Sequence, residues 1–148
     1  MATFQGSSQK DGVPERAEVS GSEVESNIDI EEDSKGKTVL ITGGAGFIGS
    51  HVADFMLSRG DKVVICDEMN DYYDVRLKNS NLEHLYLNHG EKCIVYQGDI
   101  CDEAFMEQIW ETERITHVCH LAARAGVRPS IIDPYIYVHS NIEGNWAK

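Results

Sequence analysis

The segment Thr42-Gly43-Gly44-Ala45-Gly46-Phe47-Ile48-Gly49 places four glycines within eight residues. It reads either as Gly-x-x-Gly-x-x-Gly (Gly43, Gly46, Gly49) or as Gly-x-Gly-x-x-Gly (Gly44, Gly46, Gly49). Such spacing suits phosphate chemistry for three reasons. A sharp turn needs a residue free to take positive φ. Close approach of backbone to a pyrophosphate leaves no room for a Cβ, and a helix packed tightly on its strand needs a glycine at the contact. The free N–H groups and dipole of the helix start then hold the anion. No Lys-Ser or Lys-Thr follows the glycines, which excludes a P-loop triphosphatase.

Asp67 lies 24 residues beyond Gly43. A carboxylate at the end of the second strand accepts both hydroxyls of an adenosine ribose and repels a 2′-phosphate, so the pair of features points to NAD over NADP. The bland alternative is a glycine turn with an unrelated surface Asp. Asp99, followed by Ile100, suits either an adenine amino group or the cap of a helix. His117 and His120 are three apart on a strand, face opposite sides and cannot chelate one metal; no metal is expected.

These residues need strands and helices in strict alternation. Lys37 to Thr42, Lys62 to Asp67, Lys92 to Gln97 and Ile115 to Ala122 are short apolar runs with the character of buried strands. Between them, Gly46 to Arg59 is helical, with Ile48, Val52, Phe55, Met56 and Arg59 at helical spacing and Gly60 as its cap. Val75 to Asn88 carries a stripe of Leu77, Leu82, Leu85 and Tyr86. Asp102 to Glu111 starts at an N-cap Asp102 and turns Phe105, Met106, Ile109 and Trp110 inward. Asp133-Pro134 opens a fourth helix. The fold class is therefore α/β: a Rossmann-like parallel sheet with helices on both faces, partial, with about four strands in order 3-2-1-4.

The whole chain has 148 residues and a formal charge of −12, which argues against nucleic acid and anionic membrane surfaces as partners. Residues 1 to 36 hold nine acidic and three basic residues without periodicity, and are expected to be a disordered acidic tail, either solvating or docking. Residues 37 to 148 carry the fold. The cysteines, at 66, 93, 101 and 119, form no Cys-x-x-Cys pair, and three lie in strand-like runs; a reduced, cytoplasmic setting follows. No secretory signal is visible, and the glycines, His51 and Asp54 make Val39 to Leu57 a poor membrane span.

Taken with Asp67, Asp99-Ile100 and His120-Leu121-Ala122-Ala123, the glycine segment resembles the extended short-chain dehydrogenase/reductases, the NAD-dependent nucleotide-sugar epimerases and dehydratases. Asn70-Asp71-Tyr72-Tyr73-Asp74-Val75-Arg76-Leu77-Lys78, the run from Ala122 to Ile131 and Asn141-Ile142-Glu143-Gly144 resemble its UDP-glucuronate 4-epimerase branch. The resemblance implies roles. Gly43, Gly46, Phe47, Ile48 and Gly49 would contact the pyrophosphate. Asp67 would hold the adenosine ribose, with Asn70 beside it, and Asp99 and Ile100 the adenine. Leu121, Ala122, Ala123 and Arg124 would line the nicotinamide side, and either Ser140 or Asn141 the nicotinamide ribose. Arg124 and Arg128 would meet a uronate carboxylate or diphosphate, unless both are surface residues. In the family's reaction NAD takes a hydride from sugar C4 and returns it to the other face. A UDP-sugar substrate and a homodimer are implied for a full-length form.

The family's acid/base pair is Tyr-x-x-x-Lys. The residues four beyond the six tyrosines are Arg76, Leu77, Gly90, Ile100, His139 and Asn141, and none is Lys. No catalytic residue is therefore assigned. The chain is expected to be the amino-terminal NAD-binding half of a Rossmann domain, cut before its catalytic and substrate regions and inactive by itself. The alternatives are another NAD-dependent dehydratase or decarboxylase, a non-catalytic NAD-binding module, and an acidic interaction protein with a vestigial turn.

Overall fold

A computed structural model describes residues 36–146. Except for Gly36, the expected acidic tail lies outside the described residues. Four strands, β1 (Thr38–Thr42), β2 (Lys62–Asp67), β3 (Cys93–Gln97) and β4 (His117–His120), form one parallel sheet in the order β3-β2-β1-β4. The helices are α1 (Phe47–Arg59), α2 (Val75–His89), α3 (Glu103–Glu113), α4 (Val127–Ile132) and α5 (Pro134–Asn141), with single 3-10 turns at Gly90–Lys92 and Glu143–Trp146. The expected order of strands is the observed one.

Alternation along β1 and β2 divides the core in two. Val39, Ile41, Val63 and Ile65 pack with Ala53 and Leu57 of α1 and Leu85 of α2. Leu40, Val64 and Cys66 face the other way and pack with Met106 and Ile109 of α3. Helices thus cover both faces, and each fully buried Val, Leu or Ile contributes roughly 1.5–3 kcal/mol against exposure. The register runs from Thr38 opposite Lys62 to Thr42 opposite Cys66, and from Val39 opposite His117 to Thr42 opposite His120.

The expected caps are in place. Gly60, at φ 104°, closes α1 with its N–H on Leu57 and Met56 carbonyls. Asp102 accepts from the Phe105 amide at the start of α3, and Asp133 from the Ile136 amide at the start of α5. Three expectations need correction. The stripe assigned to α1 is only partly what it turns inward: Val52 and Met56 pack against the core, but the buried positions are Gly49, Ser50, Ala53 and Leu57, and Phe55 is 67% exposed. Small residues win because the helix lies close against the glycine turn. On α2, Leu77 and Tyr86 are likewise exposed, and the buried positions are Lys78 and Leu85. The expected last strand also shortens at both ends, to His117–His120, because β1 is only five residues long and offers no ladder beyond Thr42. Helix α4 was not legible as a helix: it is six residues long and carries Pro129, harmless only in a first turn where no N–H is needed.

All four cysteines are free thiols; Cys66 and Cys93 are buried, Cys101 and Cys119 half-buried. No helix among the described residues is long and apolar enough to cross a membrane.

Candidate dinucleotide cleft

The chain leaves β1 at Thr42 and turns at Gly43, whose φ of 69° disfavours any side chain. A Cβ there would lie 2.8 Å from the Ala122 backbone, and one on Gly49 would lie 2.2 Å from the Gly43 carbonyl oxygen. Gly49 therefore lets α1 approach the turn. Gly44 is required for a different reason, its Cβ position being 2.6 Å from the Ile65 side chain. Of the two registers, Gly43-Gly46-Gly49 makes the turn, and Gly44 serves core packing. Phe47 and Ile48 open α1, exposed, with first-turn amides that have no acceptor inside the helix. Such a cradle, closed to Cβ atoms and open to an anion, fits a dinucleotide pyrophosphate.

At the carboxyl ends of the strands lies an open cleft. Of the residues assigned to the cofactor from the sequence, Gly43, Gly46, Asp67, Asn70, Asp99, Ile100, Leu121, Ala122, Ala123, Arg124 and Ser140 come together along this cleft. Glu68, Tyr72, Tyr73 and Lys78 line it too and were not anticipated. Gly49 is buried beneath the turn. Arg128 is exposed on α4 and does not line the cleft.

Asp67 is buried and accepts three hydrogen bonds, which leaves acceptor capacity for a ligand. Its Oδ2 accepts from the Ala45 amide at 3.1 Å, and its Oδ1 from the Met69 amide at 2.9 Å and from Lys78 Nζ at 3.1 Å. The side chains of both ion-pair partners are only 6% exposed. Lys78 Nζ also donates to Asn70 Oδ1 at 3.2 Å and stands 5.4 Å from the Tyr73 ring centre. Burial, and then the Asp67 charge, push the Tyr73 hydroxyl above its usual pKa. The carboxylate expected to repel a 2′-phosphate is thus paired with an ammonium, so charge repulsion alone does not describe this end of the cleft. The signal for Lys78 was its position four and seven residues before Leu82 and Leu85, on the face of α2 that turns inward.

Asp99 takes a different course. Its Oδ1 accepts from the Cys101 amide at 2.9 Å, and its Oδ2 is 2.8 Å from His139 Nε2. The other ring nitrogen, Nδ1, is 2.7 Å from Glu143 Oε2. Asp102, not Asp99, caps α3 with its side chain, which removes the capping reading of Asp99. Burial raises the Asp99 carboxyl, but the Cys101 amide and His139 outweigh it and hold the pKa below the usual value. The Asp99 and Glu143 carboxylates raise His139 above the usual histidine value. Burial, helped by Asp99, pushes the Cys101 thiol up to about 11. Asp99, Cys101 and His139 bring possible metal ligands within 4.8 Å of one another. Both imidazole nitrogens already meet carboxylates, however, so the cluster is a hydrogen-bonded bridge.

On the far side, Asn141 holds Arg124 at two points: its Oδ1 accepts from the Arg124 amide at 2.7 Å and its Nδ2 donates to the Arg124 carbonyl at 2.9 Å. Ser140, its neighbour, is the one that lines the cleft. The Arg124 guanidinium lies 3.6 Å from Glu68, and its buried Nε has no partner among the described residues. Tyr72 reaches across to donate to the Ala125 carbonyl at 2.7 Å, tying the loop after β2 to the loop after β4. His117 and His120 bond to the Thr116 and Thr42 hydroxyls respectively.

The family model described as GDP-mannose 4,6 dehydratase matches residues 40–147. The chain belongs to that family. Among its relatives, UDP-glucuronate 4-epimerase 3 of Arabidopsis thaliana is 46% identical over 110 residues, covering 74% of this chain and 25% of the relative. UDP-glucuronate 4-epimerase of Thermodesulfobacterium geofontis is 48% identical over 105 residues, 71% of this chain and 32% of the relative. Solved structures agree: UDP-glucose-4-epimerase from Stenotrophomonas maltophila, with bound NAD and formylated UDP-arabinopyranose, superposes with a TM-score of 0.66 at 35% identity, covering 75% of this chain and 32% of that one. UDP-glucose 4-epimerase from Bifidobacterium longum, in complex with NAD+ and UDP, gives 0.65 at 32% identity, covering 75% of this chain and 32% of that one. The chain thus spans about a quarter to a third of the length of these relatives.

Proposed function

We propose that residues 37 to 148 are the NAD-binding part of a nucleotide-sugar epimerase of the UDP-glucuronate 4-epimerase kind. The observation that carries the reading is the meeting, in one cleft, of the Gly43-Gly46-Gly49 cradle with two carboxylates, Asp67 at the end of β2 and Asp99 just after β3. The cradle and the first amides of α1 would receive the pyrophosphate. Asp67 and Asn70, held by Lys78, would meet the adenosine ribose, and Asp99 with Ile100 the adenine. Leu121, Ala122, Ala123, Arg124 and Ser140 would border the nicotinamide half, with Asn141 acting through the Arg124 backbone. When bound, NAD would supply the acceptor for a hydride from sugar C4. The proton transfer that must accompany it has no Tyr-x-x-x-Lys pair in this chain.

A UDP-sugar partner, met by Arg124, and a homodimer belong to this reading as features of a longer form. The four free thiols support a reducing, cytoplasmic setting. Calorimetric titration of the full chain is expected to show one NAD site per chain and, with UDP-glucuronate added, no epimerised product. Absence of NAD binding would overturn the reading.

A further inference from the structure

We propose that His139 is a positioning residue for adenine recognition, bridging Asp99 to Glu143 so that Asp99 stays oriented as the acceptor of the adenine 6-amino group. The proposal rests on the reading of Asp99 as the adenine acceptor.

Asp99 lines the cleft, whereas His139 does not and stands behind it on α5. A carboxylate whose side chain is 42% exposed has little packing to fix its rotation. Here each oxygen has its own donor: the Cys101 amide holds Oδ1, and His139 Nε2 meets Oδ2. Two oxygens so pinned fix the carboxylate plane and leave further lone pairs for a ligand. Glu143 secures the second ring nitrogen, so the imidazole cannot turn away without losing a charge-assisted bond. Two further contacts lock the same segment onto the adenine end. The Cys101 thiol donates to the His139 carbonyl at 3.4 Å. Gly144 lies so close to Ile100 that a Cβ on it would come within 2.6 Å of Ile100 Cδ1. Both members of the Asp99-Ile100 pair are therefore held by residues 139 to 144.

The groups that face the imidazole are Asp99 and Cys101, from the segment between β3 and α3, and Glu143, from the turn after α5. Glu68, after β2, adds its charge at Cys101. Only the imidazolium can donate to both carboxylates at once; the neutral ring has one N–H. The Asp99 and Glu143 carboxylates keep the imidazolium to a pH above the usual histidine value, so the bridge is complete below that range and loses a bond above it. Adenine binding is then tightest with the bridge complete.

The test compares the full chain with His139→Gln, His139→Ala and Asp99→Ala. NAD is set against its hypoxanthine analogue, which lacks the 6-amino group. At pH 7, His139→Ala is expected to weaken NAD about tenfold, the worth of one charge-assisted hydrogen bond, while leaving the analogue within twofold. Gln, which can place an amide nitrogen near the Nε2 position, should recover most of the affinity and abolish its fall between pH 6 and 8. Independently of any ligand, the His139 ring followed by NMR should titrate above the usual value, and Asp99→Asn should lower it. If Asp99→Ala leaves NAD binding unchanged, the adenine reading of Asp99 fails, and this proposal with it. If Asp99→Ala weakens NAD but neither His139 variant does, or the ring titrates at the ordinary value, the positioning role alone is overturned.

Discussion

The two inner strands and the two outer strands of this sheet solve the same problem differently. β1 and β2 are buried almost throughout, while β3 alternates and β4 is exposed along most of its length. Asp67 ends an inner strand and Asp99 follows an outer one by two residues, and both line the cleft. The inner carboxylate is sealed, with two amides and a buried ammonium as its donors. The outer one is half-exposed and tied to an imidazole that solvent can reach. Position in the sheet thus sets the kind of partner a carboxylate needs. A buried charge requires a permanent counter-charge, whereas a half-exposed one tolerates a partner that titrates.

The sharpest way to break this contrast is Lys78→Met. It leaves Asp67 buried and uncompensated, and is expected to cost about 3–5 kcal/mol in urea unfolding. The double variant with Asp67→Asn should recover much of that loss; if the single variant is as stable as the parent, Asp67 is not a sealed charge. Gly43→Ala comes next. The substitution forces a side chain to φ 69° against the Ala122 backbone, and about 2 kcal/mol of stability with loss of NAD binding is the expected outcome. A variant that still binds NAD would show the turn to be more tolerant than its geometry.

Smaller effects should appear at the outer strands, where pH acts. Burial raises Glu113, but hydrogen bonds from Lys62 and from Tyr96 of β3 outweigh it and lower its pKa below the usual 4.5. A lowered carboxyl contributes stability above its unfolded value and loses it as pH falls through the folded value. His139 is raised instead, so its contribution is present below its ordinary 6.5 and fades as pH rises through the folded value. Solvent screening keeps the His139 contribution small. Thermal melts between pH 3 and 9 should therefore show an acid limb that Glu113→Gln flattens and a shallow alkaline limb that His139→Gln flattens. The smallest effect on stability, within about 0.5 kcal/mol, is expected for Val118→Lys. Val118 is 53% exposed on β4, which pairs only with β1 among the described strands. An open edge of this kind recruits other chains, so residues 37 to 148 made alone should aggregate and the lysine should slow it, as read by light scattering. A monodisperse parent would refute the point.

Much of the fold was legible because it depends on local chemistry. Strand runs, the Gly60 cap and the Asp102 and Asp133 caps are set by neighbours a few residues away. The buried face of α1 was not, because tight approach at Gly49 turns a small-residue stripe inward and leaves Phe55 outside. In the cleft, the glycines and the two acids, at the end of β2 and just after β3, could be named from spacing. Lys78, 11 residues from Asp67, and His139, 40 residues from Asp99, could not be paired with them by any short pattern.

By itself the sequence determined the alternation of strands and helices, the sheet order, the glycine turn and the two acids that the cleft needs. Periodicity, capping and turn preference act over one to four residues, and parallel crossovers leave few topologies. Only the tertiary structure decided what each acid is worth. Burial, the rotation of a carboxylate and the charge of its partner are properties of the assembled surroundings. It therefore took the fold to show that Asp67 is sealed by Lys78 and that Asp99 leans on His139.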